Sequence, residues 1–176
     1  MRLPYVVGPP VKLPTDFFGR AAQTRQFFDT LAGPQVQCVS VLGLRRAGKT
    51  SFLQHVAHPQ VMAGFLSDAD RYAMIYVDVS ACPTPGDFYG RVARRLTGLL
   101  SSRAAHDAPA AADVYTVETL LYELADRRVV LLLDEFDQLR AAAFGGDFMT
   151  ELRALAGVWE YQLGYVTASY WDLFRL

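Results

Sequence analysis

Apolar residues along this chain come in short, nearly unbroken runs, and between the runs they recur every three or four positions. Four runs read as strands: residues 36–43, 72–79 (Tyr-Ala-Met-Ile-Tyr-Val-Asp-Val), 129–133 (Val-Val-Leu-Leu-Leu) and 163–168. They lack the alternation of a half-solvated strand, as expected where helices cover both faces of a sheet. Helical spacing runs over 20–31 through Phe27, Phe28 and Leu31, then 49–57, 87–101 through Phe88, Val92 and Leu96, 114–128 through Val117, Leu121 and Leu124, and 147–156. Gly33-Pro34 is expected to end the first of these helices and Pro59 the second. Strands alternating with helices of this length predict an α/β fold, a parallel sheet with helices on both faces. Ahead of it, prolines at 4, 9, 10 and 14 make the first eighteen residues an extended arm. Residues 1–34 are read as an arm and helix that pack on the core, and 35–176 as the core; 102–113, rich in alanine and broken by Pro109, reads as a loop.

Composition narrows the class. A chain of 176 residues, 52% hydrophobic and 20% charged, is one globular domain with little room for disorder. The longest apolar runs are strand-sized, so nothing predicts a membrane span, and the proline-rich N-terminus has no secretory h-region; a cytoplasmic location is expected. A net charge of −1 carries no footprint of nucleic-acid binding. Cys38 and Cys82 read as buried thiols, not as a disulfide or a metal pair. Only Lys12 and Lys49 are lysines; every other basic side chain is an arginine or a histidine.

Lys49 stands where its chemistry is specific. The first strand runs into Gly43-Leu44-Arg45-Arg46-Ala47-Gly48-Lys49-Thr50-Ser51, the pattern of a phosphate-binding loop. The glycines let backbone N–H groups curl around phosphate oxygens. Lys49 reaches the β and γ phosphates, Thr50 offers a hydroxyl to Mg2+, and the helix starting here points its positive end at the anion. Gly43, Arg46, Ala47, Gly48, Lys49, Thr50 and Ser51 are the candidate nucleotide contacts, with Arg45 and Arg46 open to phosphate, a second protomer or solvent. Further on, 129–133 ends in Asp134-Glu135, a Walker B pattern at the sheet edge where ligands bind in open α/β folds. Asp134 is the candidate Mg2+ carboxylate and Glu135 the group that orients and deprotonates an attacking water. Asp137 reads as a turn or cap residue, and Asp78 is equally ambiguous. The fourth strand ends in hydroxyls, Thr167 and Ser169, open to a ligand or to backbone. His55-x-x-His58 reads as a partly solvated helix end. Arg91, Arg94 and Arg95 form a solvated face, and Arg127 and Arg128 the cationic end of a helix.

Together, Phe17-Phe18-Gly19-Arg20, the phosphate loop, Leu-Leu-Leu-Asp-Glu-Phe-Asp and Val-Thr-Ala-Ser-Tyr resemble the prokaryotic STAND and AAA+-like ATPases, relatives of the origin-recognition ATPases. The resemblance implies a P-loop NTPase three-layer fold with strand order 1-4-3-2. It makes Thr167 or Ser169 a γ-phosphate sensor and packs the arm and helix of residues 1–34 on the nucleotide site, with Val6, Val7, Phe18, Gly19 and Arg20 against the adenine. Such proteins continue into a fifth strand, a helical lid with a second sensor, and further domains. This chain is therefore read as an ATPase core cut from a longer protein, the alternative being a reduced core, with the open edge of its first strand left to self-association, to disorder or to contact with the missing C-terminal domains. The expected activity is a Mg2+-dependent ATP switch, weak as the isolated chain. The rival expectations are a nucleotide-binding interaction module that never hydrolyses ATP, and a DNA-associated initiator or motor core.

Overall fold

The computed structural model describes residues 10–11, 13–34, 37–100, 112–140 and 143–170. Four parallel strands, β1 (Val39–Leu42), β2 (Tyr72–Asp78), β3 (Arg128–Asp134) and β4 (Gln162–Ser169), lie in the order β1-β4-β3-β2. Among the described residues six α-helices flank them: α1 (Ala21–Leu31), α2 (Lys49–Val56), α3 (Pro59–Phe65), α4 (Pro85–Leu100), α5 (Val114–Glu123) and α6 (Gly146–Gly157). The three-layer arrangement and strand order are those implied by the resemblance.

Handedness explains which helix goes where. The β1-to-β2 connection crosses the sheet in one direction, whereas β2 to β3 and β3 to β4 step back in the other. Right-handed crossovers then put α2 and α3 on one face and α4, α5 and α6 on the opposite one. Each layer has its own core. Phe28, Leu53 and Val56 pack on Val130, Leu132 and Val166, while Phe88, Leu96 and Phe148 pack on Leu131, Leu133 and Tyr165. Because β3 and β4 are central, they are buried almost throughout, which is why both read as unbroken apolar runs. The edge strand β1 alternates instead, with Ser40 and Leu42 exposed. A groove of about 510 Å3 lies along it against α1, and an apolar one of about 360 Å3 lies on the opposite face against α6. Cys82 is buried as expected, but Cys38, at the start of this edge, is exposed.

Two local expectations are corrected. Pro59 does not simply end a helix; it opens α3 at a position whose N–H would be unpaired anyway, and the Nδ1 of His58 caps that helix by accepting the Gln60 N–H at 3.3 Å. His55, in the last turn of α2, is half-buried as expected of a partly solvated helix end; it stacks on Phe17 with ring centroids 4.1 Å apart, and burial lowers its pKa. The helix expected over 114–128 stops at Glu123, so Arg128 is a strand residue and not a helix-end cation. Its guanidinium donates to the carbonyl of Gly33 at 3.0 Å and to the hydroxyl of Tyr72 at 2.7 Å, and that hydroxyl donates to Leu31 at 3.0 Å. These bonds satisfy carbonyls left open where α1 ends. Arg128→Met is expected to cost about 1–3 kcal/mol of stability, read as a lower urea midpoint with an unchanged slope. An unchanged midpoint would show that the tie carries no net stability.

The segment read as a loop falls largely outside the described residues, as does most of the N-terminal arm. The end of the arm that is described packs on α2: Phe17 lies beside Phe52 and His55, and the Val11 N–H donates to the Ser51 hydroxyl at 3.1 Å. No helix among the described residues is long and apolar enough to cross a membrane.

Candidate functional site

The loop between β1 and α2 starts as an extension of the sheet, the Gly43 N–H donating to the Ser169 carbonyl at 3.3 Å. It then tightens. Ala47 N–H donates back to Leu44 at 3.1 Å, and Arg46 (φ 62°) and Gly48 (φ 80°) take left-handed conformations. A Cβ on Gly43 would meet the Ala47 side chain at 3.4 Å, so the close turn leaves little room for anything larger. Gly48 is the residue before the first turn of α2, where φ 80° strains any side chain. Gly48→Ala is expected to lower stability by about 1–2 kcal/mol, measurable by urea unfolding without nucleotide.

Lys49 is 8% exposed, and its ammonium folds across the loop to donate to the carbonyls of Gly43 at 2.9 Å and Leu44 at 3.2 Å. An ammonium carries three N–H donors, so one remains for an anion. Thr50, in the first turn of α2, is half-buried. Ser51 faces the other way, its oxygen accepting from the arm. Arg20 is brought onto the loop as well: its guanidinium donates to the Ala47 carbonyl and lies 3.6 Å from where a Gly48 Cβ would be. Gly19 and Arg20 also line the groove along β1, whereas Phe18 is 66% exposed. Val7 lies outside the described residues.

The acids follow β3. Asp134, 2% exposed, accepts at Oδ1 from the Glu135 N–H at 3.0 Å and at Oδ2 from the Tyr76 hydroxyl at 2.9 Å. Burial, and then the bond and charge of Asp134, push the Tyr76 pKa well above the ordinary tyrosine value, so the phenol remains a donor. Glu135 is exposed and adopts φ 51°, a left-handed conformation uncommon outside glycine and asparagine. Strain of this kind collects at functional sites. The other acids have structural duties. Asp78 holds the turn after β2 by accepting from Ser80, and Asp137 accepts the Tyr170 N–H at 3.2 Å, tying down the chain that leaves β4.

Of the two hydroxyls at the end of β4, Thr167 sits 3.2 Å from the Ser40 hydroxyl and level with Leu133. Ser169, fully buried, pairs with Leu42 where the loop begins, and is thus nearer the edge that carries Asp134 and Glu135. Tyr76 and Ser40 were not among the residues singled out from sequence. A tyrosine or serine in a strand is unremarkable until the partner strand and its register are known.

The donor set suits Mg2+. Asp134 is a buried carboxylate whose described partners are neutral N–H and O–H groups, and Thr50 adds a hydroxyl: hard oxygen donors, few in number. No cluster of three or more His, Cys, Asp or Glu among the described residues forms a metal cage. Mg2+ needs none, because it keeps several waters and takes its remaining ligands from phosphates.

Comparison with known proteins agrees with the fold. Three solved structures similar to this chain are the Walker-type ATPase PABY2304 of Pyrococcus abyssi (TM-score 0.64, 18% identity, covering 92% of this chain and 47% of that one), Aeropyrum pernix ORC1 in complex with DNA (0.61, 22%, 88% and 40%), and Aeropyrum pernix ORC2 in ADPNP-ADP complexes (0.60, 17%, 85% and 39%). At such identities the likeness speaks for the fold. The chain spans 39–47% of each of these proteins. No match emerges among curated proteins. A family model described as an AAA domain matches residues 35–165, from before β1 into β4, and the chain belongs to the AAA domain family.

Proposed function

We propose that this chain is an ATP-binding, Mg2+-dependent ATPase core that works as a nucleotide-controlled switch within a larger signalling or conflict-type protein. One observation carries the reading: a buried lysine at the start of α2, a buried carboxylate at the end of β3 and a strained glutamate beside it share one edge of the sheet. Lys49 and the amides of the loop bind the phosphates, and Arg20, already on the loop, lies where it meets the nucleotide. Thr50 and Asp134 hold Mg2+, which when bound neutralises charge on the β and γ phosphates. Glu135 orients the attacking water and takes its proton, and Ser169 or Thr167 reports the γ phosphate. The base and ribose sit beside Gly19 and Arg20, at the mouth of the groove along β1. Turnover by the chain alone is slow in this scheme, because it assigns no arginine finger, a group worth about 10³–10⁵ in rate.

Calorimetric titration with ATP, with Mg2+ and then with EDTA, tests the reading. Binding that tightens with Mg2+ is expected; heats indistinguishable from dilution under both conditions would sink it. A DNA-associated core is a second reading, drawn from the likeness to ORC1 solved with DNA. A net charge of −1 supplies no general attraction for phosphates, so any DNA affinity has to come from a local basic face or from another domain, and would show as salt-sensitive binding.

A further inference from the structure

The two carboxylate oxygens of Asp134 are held from different directions. The Oδ1 bond comes from the next residue's own N–H and belongs to the turn, whereas the Oδ2 bond comes from Tyr76 on the neighbouring strand. Tyr76 pairs with Leu132, and Asp78 with Asp134, so Tyr76 and Asp134 are diagonal neighbours on one face of the sheet. Diagonal positions are about 7–8 Å apart at the backbone, a gap that a long side chain closes. The ring of Tyr76 reaches across it while lying half-buried against the α1–α3 layer. Each carboxylate oxygen accepts once and keeps a lone pair for another donor.

We propose that Tyr76 is a positioning residue for the divalent cation: its hydroxyl pins the Asp134 carboxylate in the plane that presents the remaining lone pairs to the water shell of Mg2+. The proposal rests on the nucleotide reading above. With only the bond from Glu135, the carboxylate would pivot about Oδ1; the phenol removes that freedom. An oxygen already shared with a phenol is a poorer direct ligand and a well-aimed acceptor for metal-bound water, which suits a cation that loses its water reluctantly.

Tyr76→Phe keeps the ring and deletes only the hydroxyl. Binding of a fluorescent ATP analogue to the full chain is titrated with Mg2+ and, separately, measured in EDTA, with Mn2+ occupancy followed by electron paramagnetic resonance. The Mg2+ midpoint is expected to rise at least about tenfold, in line with other groups that sit behind a metal ligand. Metal-free nucleotide affinity stays within about threefold, and the variant adds nothing further in an Asp134→Asn background. An unchanged Mg2+ midpoint, or equal losses with and without metal, overturns the proposal and leaves Tyr76 a packing residue. Failure of the nucleotide reading looks different: the unaltered chain then binds no ATP with or without Mg2+, and Mn2+ occupancy with and without the hydroxyl still decides the role of Tyr76.

Discussion

Lys49→Ala is expected to weaken ATP binding by about thirtyfold or more, with little change in the folded structure. Truncating one partner of a buried, hydrogen-bonded ion pair costs about 2–5 kcal/mol, and each 1.4 kcal/mol is about tenfold in affinity. Lys49 is almost fully buried at the start of α2, so no other ammonium can take its place at the loop. Its two bonds to Gly43 and Leu44 are also lost, which loosens the loop and adds to the deficit. Calorimetry with ATP and Mg2+ checks the result. Affinity within threefold of the unaltered chain would show that the loop does not hold phosphate.

Glu135→Gln separates binding from chemistry. The amide is nearly isosteric with the carboxylate and keeps the backbone where it is, but it cannot take a proton from water. General-base catalysis contributes about 10²–10⁴ in rate, so hydrolysis should fall by that factor while ATP affinity stays nearly constant. Single-turnover hydrolysis with excess protein is the measurement, because slow turnover makes steady-state rates hard to separate from contamination. Equal lifetimes of bound ATP in the two proteins would favour an interaction module that holds nucleotide without hydrolysing it. The left-handed backbone of Glu135 supports the functional assignment, since a solvated acid with no task gains nothing from a strained φ of 51°.

Much of this site was legible in sequence because its main parts are contiguous. The phosphate loop needs glycine, lysine and threonine at fixed offsets after a strand, and the acids need only follow an apolar run. Lys49 is found buried at the start of α2 and Asp134 buried at the end of β3, where the pattern put them. The misread elements share a cause. At Pro59 the local signal was right that one helix ends, but it could not show that His58 would cap the next. Arg128 carried the signature of a helix end, and its role changed because the carbonyls it satisfies come from α1, distant in sequence. Cys38 read as buried because it lies in an apolar run, yet that run forms an edge strand.

Sequence alone determined the alternation of strands and helices, the candidate phosphate loop and the paired acids, since each is written in a window of a few residues through periodicity, turn chemistry and fixed spacing. The strand order followed from the family resemblance. Only the tertiary structure decided which strand is exposed, which hydroxyl on β4 lies nearest the ligand edge, that Arg20 rests on the loop and that Tyr76 holds Asp134. Those outcomes depend on the register between distant segments. A side chain's partner across a sheet is set by which backbone hydrogen bonds align, and no local pattern encodes that alignment.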